Sequence, residues 1–282
     1  MEKAIRFKWL QRKFKFRNSD FIHHYPVDSE MTDLEKKDIC QYLEQLNVSG
    51  ISYTYPTHED YPSAFYQMKE PPLFLEYIGT PVWKLNRLCS IVGSRKIHHL
   101  SQRWIASELT QFVEEGKVTV VSGGAHGVDQ AAHLSALKAQ QSTIIVLPSG
   151  LDQLYPQNLS EIKEEVLFYK GCFLSEFERH QKVQKNYFYL RNRLIAALGC
   201  FTLIVQATQK SGTLLTVHHA LEFGRPVVVV PGHPMLVEFS GNTKLIKDGA
   251  SLVHDFSDLL DFWHAESWSG LVMKSVYSTD GV

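Results

Sequence analysis

The sequence predicts a Rossmann-like α/β fold, a parallel sheet covered by helices on both faces, with a short helical N-terminal appendage. Three observations predict it. From residue 88 onward, short β-branched runs alternate with longer stretches of helical period. The runs are nearly continuous in apolar residues, as strands buried on both faces must be. Glycine-bearing turns follow several of them, where an α/β chain leaves a strand end and enters a helix.

Taken in order, the strands are expected at Leu88 to Val92, Thr119 to Ser122, Thr143 to Leu147, Cys172 to Ser175, Phe201 to Val205 and Val227 to Val230. Between the first two, Ser101 to Glu115 sets Trp104, Ile105, Leu109, Phe112 and Val113 on one face at helical spacing. Val128 to Ala139 and Gly212 to Phe223 supply two further helices. Residues 1–48 read as a short, basic, helical region whose period is clearest from Met31 to Leu46. Ile51 to Gly79, rich in proline and tyrosine, reads as an extended lead-in adding edge structure to the sheet. A short helix, Phe256 to His264, precedes a polar tail. The expected organisation is 1–48, an extended α/β domain over 49–264, and the tail 265–282.

Composition narrows the function classes. A chain of 282 residues, 44% apolar and 21% charged, is ordinary for a soluble globular protein. No apolar run approaches the roughly 20 residues of a membrane helix, and no secretory segment opens the chain, so a cytoplasmic protein without a membrane partner is expected. Cys40, Cys89, Cys172 and Cys200 are too scattered for a zinc site or a disulfide framework and read as buried thiols. The formal charge of -1 is uneven: residues 1–17 carry seven cations against Glu2 alone, leaving the rest of the chain net negative. An anion site in the body must therefore be a local patch.

The glycine turns supply such a patch. "GSR" (Gly93, Ser94, Arg95), followed by Lys96, ends the first run. "SGGAHGVD" carries Ser122, Gly123, Gly124 and Gly127 after the second, and "KSGT" (Lys210, Ser211, Gly212, Thr213) lies beyond the fifth. Backbone amides freed by glycine, next to Arg95, Lys96, Arg191, Arg193 and Lys210, suit an anionic ligand. The dinucleotide, triphosphate and nucleophile-elbow signatures are absent. No catalytic constellation, cofactor site or metal site is expected. Asp129 and His133, at i and i+4, read as a polar pair that fixes the loop after the second strand. Asp152 and Tyr155 read as loop-ordering residues or base contacts.

As a set, these loops resemble the DprA/Smf family. The matching pieces run in the family's order from about Ile51 to Val253: "YPSAFYQMKEPPLFLEYIG", "SIVGSRK", "VVSGGAHGVDQAAHLSAL", "TIIVLPSGLDQLYPQN", "LSEF", "RNRLIAALGCFTLIVQATQKSGTLLTVHHALEFGRPVVVVPG" and "NTKLIKDGASLV". The resemblance implies a single-stranded DNA-binding recombination mediator, acting in natural transformation as a homodimer that helps load a RecA-type recombinase. It assigns Arg95 and Lys210 to backbone phosphates. The amides and hydroxyls of Ser94, Ser122, Gly123, Gly124, Ser211 and Thr213 could supply phosphate nests. Arg191 and Arg193, flanking Asn192, would complete the positive wall or pin a loop, and Phe188 and Tyr189 are candidate stacking platforms for bases. Tyr189 stands where the family usually has proline, and no C-terminal winged-helix module is evident. The alternative is a mononucleotide-binding or nucleoside-monophosphate-cleaving enzyme of the LOG type, in which the same loops hold one phosphate.

Overall fold

The computed structural model describes residues 1–14, 31–84 and 87–265. Its strands are β1 (Ser52–Thr54), β2 (Leu75–Gly79), β3 (Leu88–Gly93), β4 (Thr119–Ser122), β5 (Thr143–Val146), β6 (Cys172–Ser175), β7 (Thr202–Gln206), β8 (Val227–Val229) and β9 (Ser251–Leu252). They form one sheet in the order β1-β2-β6-β5-β4-β3-β7-β8-β9. The seven strands from β6 to β9 are parallel, as the unbroken apolar runs predict, while β1 and β2 add antiparallel edge structure.

The helices are α1 (Glu2–Phe14), α2 (Asp33–Val48), α3 (His99–Trp104), α4 (Thr110–Glu115), α5 (Val128–Lys138), α6 (Lys163–Phe168), α7 (Lys185–Leu198), α8 (Thr213–Glu222), α9 (Ser240–Lys247) and α10 (Phe256–His264). A π-type segment, Ile105–Leu109, joins α3 to α4, so the single helix expected there is continuous but locally widened. On one face of the sheet, Val92, Val121, Ile144 and Ile204 pack with Leu194 and Ile195 of α7 and Val217 of α8. On the other, Ile91, Val120 and Leu203 pack with Phe112 of α4, Ala132 of α5 and Leu259 of α10. This alternation is the period-2 geometry of strands buried on both sides.

The N-terminal helix is bound more tightly than its composition suggests. Ile5, Phe7, Trp9 and Leu10 of α1 are buried with Leu43 of α2, Ile145 of β5 and Phe173 of β6. Each such burial contributes about 1.5–3 kcal/mol, which holds a 13-residue helix too short to persist alone. Lys8 is itself fully buried, so at this position the basic N-terminus offers its cation neither to solvent nor to a ligand. The tail beyond Ala265, the pair His23-His24 and the cations Lys15 and Arg17 lie outside the described residues. Of the four cysteines, Cys89 and Cys172 are buried and Cys40 and Cys200 half-buried, all free. Among the described residues no helix is long and apolar enough to cross a membrane.

Candidate functional site

The strand order reverses between β3 and β7, because the chain leaves β3 toward β4 and leaves β7 toward β8. A crevice opens beyond the carboxyl ends of strands at such a point. Here it is a cavity of about 440 Å³ lined by the β3 end, the first turns of α8 and one side of α7. The sequence-predicted residues Gly93, Ser94, Arg95, Phe188, Tyr189, Arg191, Asn192, Ser211, Gly212 and Thr213 all line it. Residues separated by more than a hundred positions meet because β3 and β7 are neighbours.

The loop after β3 is tied to β7 by Gln206. The Ser94 N–H donates to the Gln206 carbonyl at 2.8 Å, the Gln206 side chain donates to the Lys96 carbonyl at 3.0 Å, and its Oε1 accepts from the His98 N–H at 2.8 Å. Across the turn, the Ser94 carbonyl accepts from the Val128 N–H that starts α5. Gly127 precedes that residue at φ 86°, and a Cβ there would strike the Ser94 and Arg95 backbone, so glycine is required. Arg95 is exposed, with its guanidinium 4.9 Å from the centre of the Phe188 ring. On the facing wall, Ser211 Oγ accepts from the Thr213 N–H and the Ser211 and Gly212 carbonyls from the Leu214 and Leu215 N–H groups, all at 3.1 Å, which orders the start of α8 and leaves its dipole to favour an anion.

Arg191 forms the floor. It lies on α7, a helix not among those expected from the sequence. The guanidinium packs on Gly123, where a Cβ would overlap it, and reaches the Val146 carbonyl at 3.4 Å. Burial pushes Arg191 down to about 10, with opposition from the Asp129 carboxylate and reinforcement from the Arg95 charge. It therefore remains a cation at neutral pH. Asp129 is raised by burial and held back by Arg191 and by the Gly123 and Ala125 backbone groups, so it orders the loop that carries Gly123. Two guanidinium groups thus flank one aromatic ring, since Arg191 sits 5.9 Å from the centre of Phe188.

Other predicted residues sit elsewhere. Arg193 points away from the cleft, its Nη2 bonding both oxygens of Glu176 at 2.5–2.6 Å and its Nη1 the Glu70 carbonyl. Ser122 Oγ donates to the Ile91 carbonyl inside the sheet. Gly123 lines a small adjoining pocket with Tyr155, Pro156 and His126, whereas Gly124 packs on Leu159 and Ile145. Lys96 and Lys210 are exposed on the flanking turns, outside the cleft lining. Asp152 pairs with Arg179 at 2.6 Å, while Tyr155 is 41% exposed and meets Phe188 edge-on at 5.8 Å. Sequence reasoning missed Lys185, which lines the cleft from the first turn of α7; its signal was the amphipathic period of that helix.

Asp129 and His133 have different partners, Asp129 in the loop after β4 and His133 on β5. His133 Nδ1 lies 2.7 Å from Thr143 Oγ1 on β5, and burial lowers the imidazole to about 3, with the Arg191 charge assisting. The folded state therefore holds His133 neutral, while the unfolded chain takes up its proton near 6.5. The stability this contributes is complete above that value and is lost as pH falls toward 3. Urea unfolding should show a loss approaching about 1.4 kcal/mol per pH unit in that window from this group, and His133→Asn should flatten it.

Comparisons with known proteins agree with this architecture. The family model for DNA recombination-mediator protein A matches residues 52–264. Protein Smf of Synechocystis is 30% identical over 256 residues, covering 89% of this chain and 64% of that protein. DNA processing protein DprA of Bacillus subtilis is 30% identical over 224 residues, covering 79% and 73%. The X-ray structure of DNA processing protein A from Streptococcus pneumoniae superposes with a TM-score of 0.71 over 92% of both chains, at 24% identity. DNA processing protein A from Helicobacter pylori, described for its single-stranded DNA binding mode, gives 0.66 at 30% identity over 75% of this chain and 95% of that one. With its sheet, its loops and its sequence all aligned in this way, the chain belongs to the DNA recombination-mediator protein A family, the DprA/Smf proteins.

Proposed function

We propose that the protein is a single-stranded DNA-binding recombination mediator. The observation that carries this reading is the cleft at the β3–β7 reversal, where Arg95 and the buried Arg191 cation flank the Phe188 ring and the start of α8 forms the facing wall. Cations and amides hold phosphates of any sequence, and an aromatic face stacks on any base. A duplex keeps its bases stacked inside and cannot offer one to Phe188, so single strands are preferred. The similarity to the Helicobacter pylori protein supports the same ligand.

By the same reading, the protein acts in the cytoplasm during transformation and hands its strand to a RecA-type recombinase, working as a homodimer. Leu215 and Leu221 of α8 are 42% and 62% exposed and are available for a second copy, whereas Leu259 and Trp263 of α10 are buried in the core. Asp129 is the carboxylate lining the cleft among the described residues, and its engagement with the Gly123 and Ala125 backbone beside the Arg191 charge weighs against a nucleotide-cleaving role.

The test is fluorescence anisotropy with labelled single- and double-stranded DNA of equal length over a salt series. Wild type should prefer the single strand and weaken steeply with salt. Arg95→Ala with Lys210→Ala should lose on the order of a hundredfold and show a shallower salt slope. Equal binding by the double variant would remove the sheet edge as the site, and equal affinity for the duplex would remove the proposed ligand.

A further inference from the structure

A second cavity, of about 730 Å³, lies on the other side of the first turn of α7. Consecutive residues divide between the two: Lys185, Phe188 and Tyr189 line the cleft, while Gln184, Asn186 and Tyr187 line this cavity. Its far wall is Gln11 and Arg12 of α1, with Glu176 and Glu178 after β6. We infer that this cavity is a base-edge subsite, which receives the bases of the strand where it passes over α7 from the phosphate-binding cleft.

The charges around the cavity are already paired. Glu176 is held by Arg193, and Glu178 by Arg12 at 2.6 Å and Lys8 at 3.4 Å. Burial alone would raise Glu178, but the Lys8 and Arg12 charges outweigh it and hold the carboxyl below its usual range. The walls therefore offer no net attraction to a phosphate. What they offer is amides. The side chains of Gln184 and Asn186 are exposed and have no hydrogen-bond partner among the described residues. Gln11, in contrast, is fixed by donating to the Phe74 and Glu176 carbonyls, both at 2.8 Å.

Carboxamides present a donor beside an acceptor, the pattern that matches the edge of a nucleobase. A docked protein would need a buried apolar anchor, and a drug-like small molecule a mostly apolar wall. This lining provides neither, since the Tyr187 ring is 6% exposed and stacked on Phe177 at 4.2 Å. A polar surface next to a cationic cleft, with alternate residues of one helical turn lining the two, is the character of a nucleic-acid interface. A helix is only about 10 Å across, so a strand held in the cleft has a short path over α7 to this cavity.

This inference rests on the proposed function, and the experiment separates the two. Affinities of wild type, Gln184→Ala with Asn186→Ala, and Arg95→Ala are measured for oligonucleotides from about 3 to about 20 nucleotides, each over a salt series. Gln184 makes no side-chain cap bond to α7, so its replacement leaves the helix start intact, and equal melting temperatures verify this. The amide double variant should match wild type on the shortest oligonucleotides, lose about tenfold on the longer ones, and keep the wild-type salt slope. Arg95→Ala should lose at every length. If the amide variant equals wild type at all lengths while Arg95→Ala binds poorly, the subsite is overturned and the cleft stands. A changed salt slope in the amide variant would also overturn it, because the contact would then be to phosphate. Wild type that binds no oligonucleotide overturns both readings.

Discussion

Replacing Lys8 with alanine is expected to lower the stability of the fold by about 3–5 kcal/mol, the cost of leaving a buried charge without its partner. The Lys8 ammonium has no exposure and lies 3.0 Å from Glu76, which is 1% exposed. It also donates to Gln11 Oε1 at 3.1 Å and sits over the Tyr42 and Phe74 rings at 4.6 and 4.7 Å. Burial raises Glu76 against the pull of Lys8 and of the Tyr42 hydroxyl. Without Lys8, Tyr42 is the remaining donor to Glu76, whose Oε2 already has no partner. Denaturant unfolding should therefore show the full loss in Lys8→Ala and recovery of most of it in Lys8→Met with Glu76→Gln, which removes both charges while filling the space. An unchanged midpoint in Lys8→Ala would mean that α1 is not held by this pair.

That pair was not legible in the sequence, and the reason is physical. Seven cations in seventeen residues suit a solvated face and a surface contact equally and point to burial in neither case, because burying a lysine demands a partner, and its partner here is 68 positions away. Local pattern served well where one element decides its own burial. The strand Thr119–Ser122 and the helix Phe256–His264 have the expected bounds, since continuous β-branched runs and a regular apolar spacing leave few alternatives. It served poorly where function and burial share an element. Tyr187, Leu194, Ile195 and Leu198 give α7 its helical period, but the arginines between them interrupt the apolar stripe. One of those arginines lines the cleft and the other closes an internal ion pair, a division set by which face of α7 each occupies. The two-residue β9 and the short α9 are too brief for any period to show. The cleft was legible as a set of strand ends, because the carboxyl edge of a parallel sheet gathers loops whatever their order in the chain. Lys185 was not, since it belongs to no strand end.

Arg191→Met is expected to impair stability and single-strand binding together, and a second substitution separates them. Methionine matches much of the arginine stem but leaves Asp129 buried without its opposing charge, at a cost on the order of 3 kcal/mol. It also removes the cation at the cleft floor, and affinity for a single strand should fall ten- to a hundredfold. Adding Asp129→Asn removes the stranded charge and keeps a side chain able to meet the Gly123 and Ala125 backbone, so the unfolding midpoint should largely recover. Affinity should not recover with it, because the phosphate still lacks its partner. Recovery of both would assign Arg191 to holding the Gly123 loop in place, with Arg95 left to bind the anion. Recovery of stability alone, with a salt slope smaller than that of wild type, would assign a phosphate directly to the buried guanidinium.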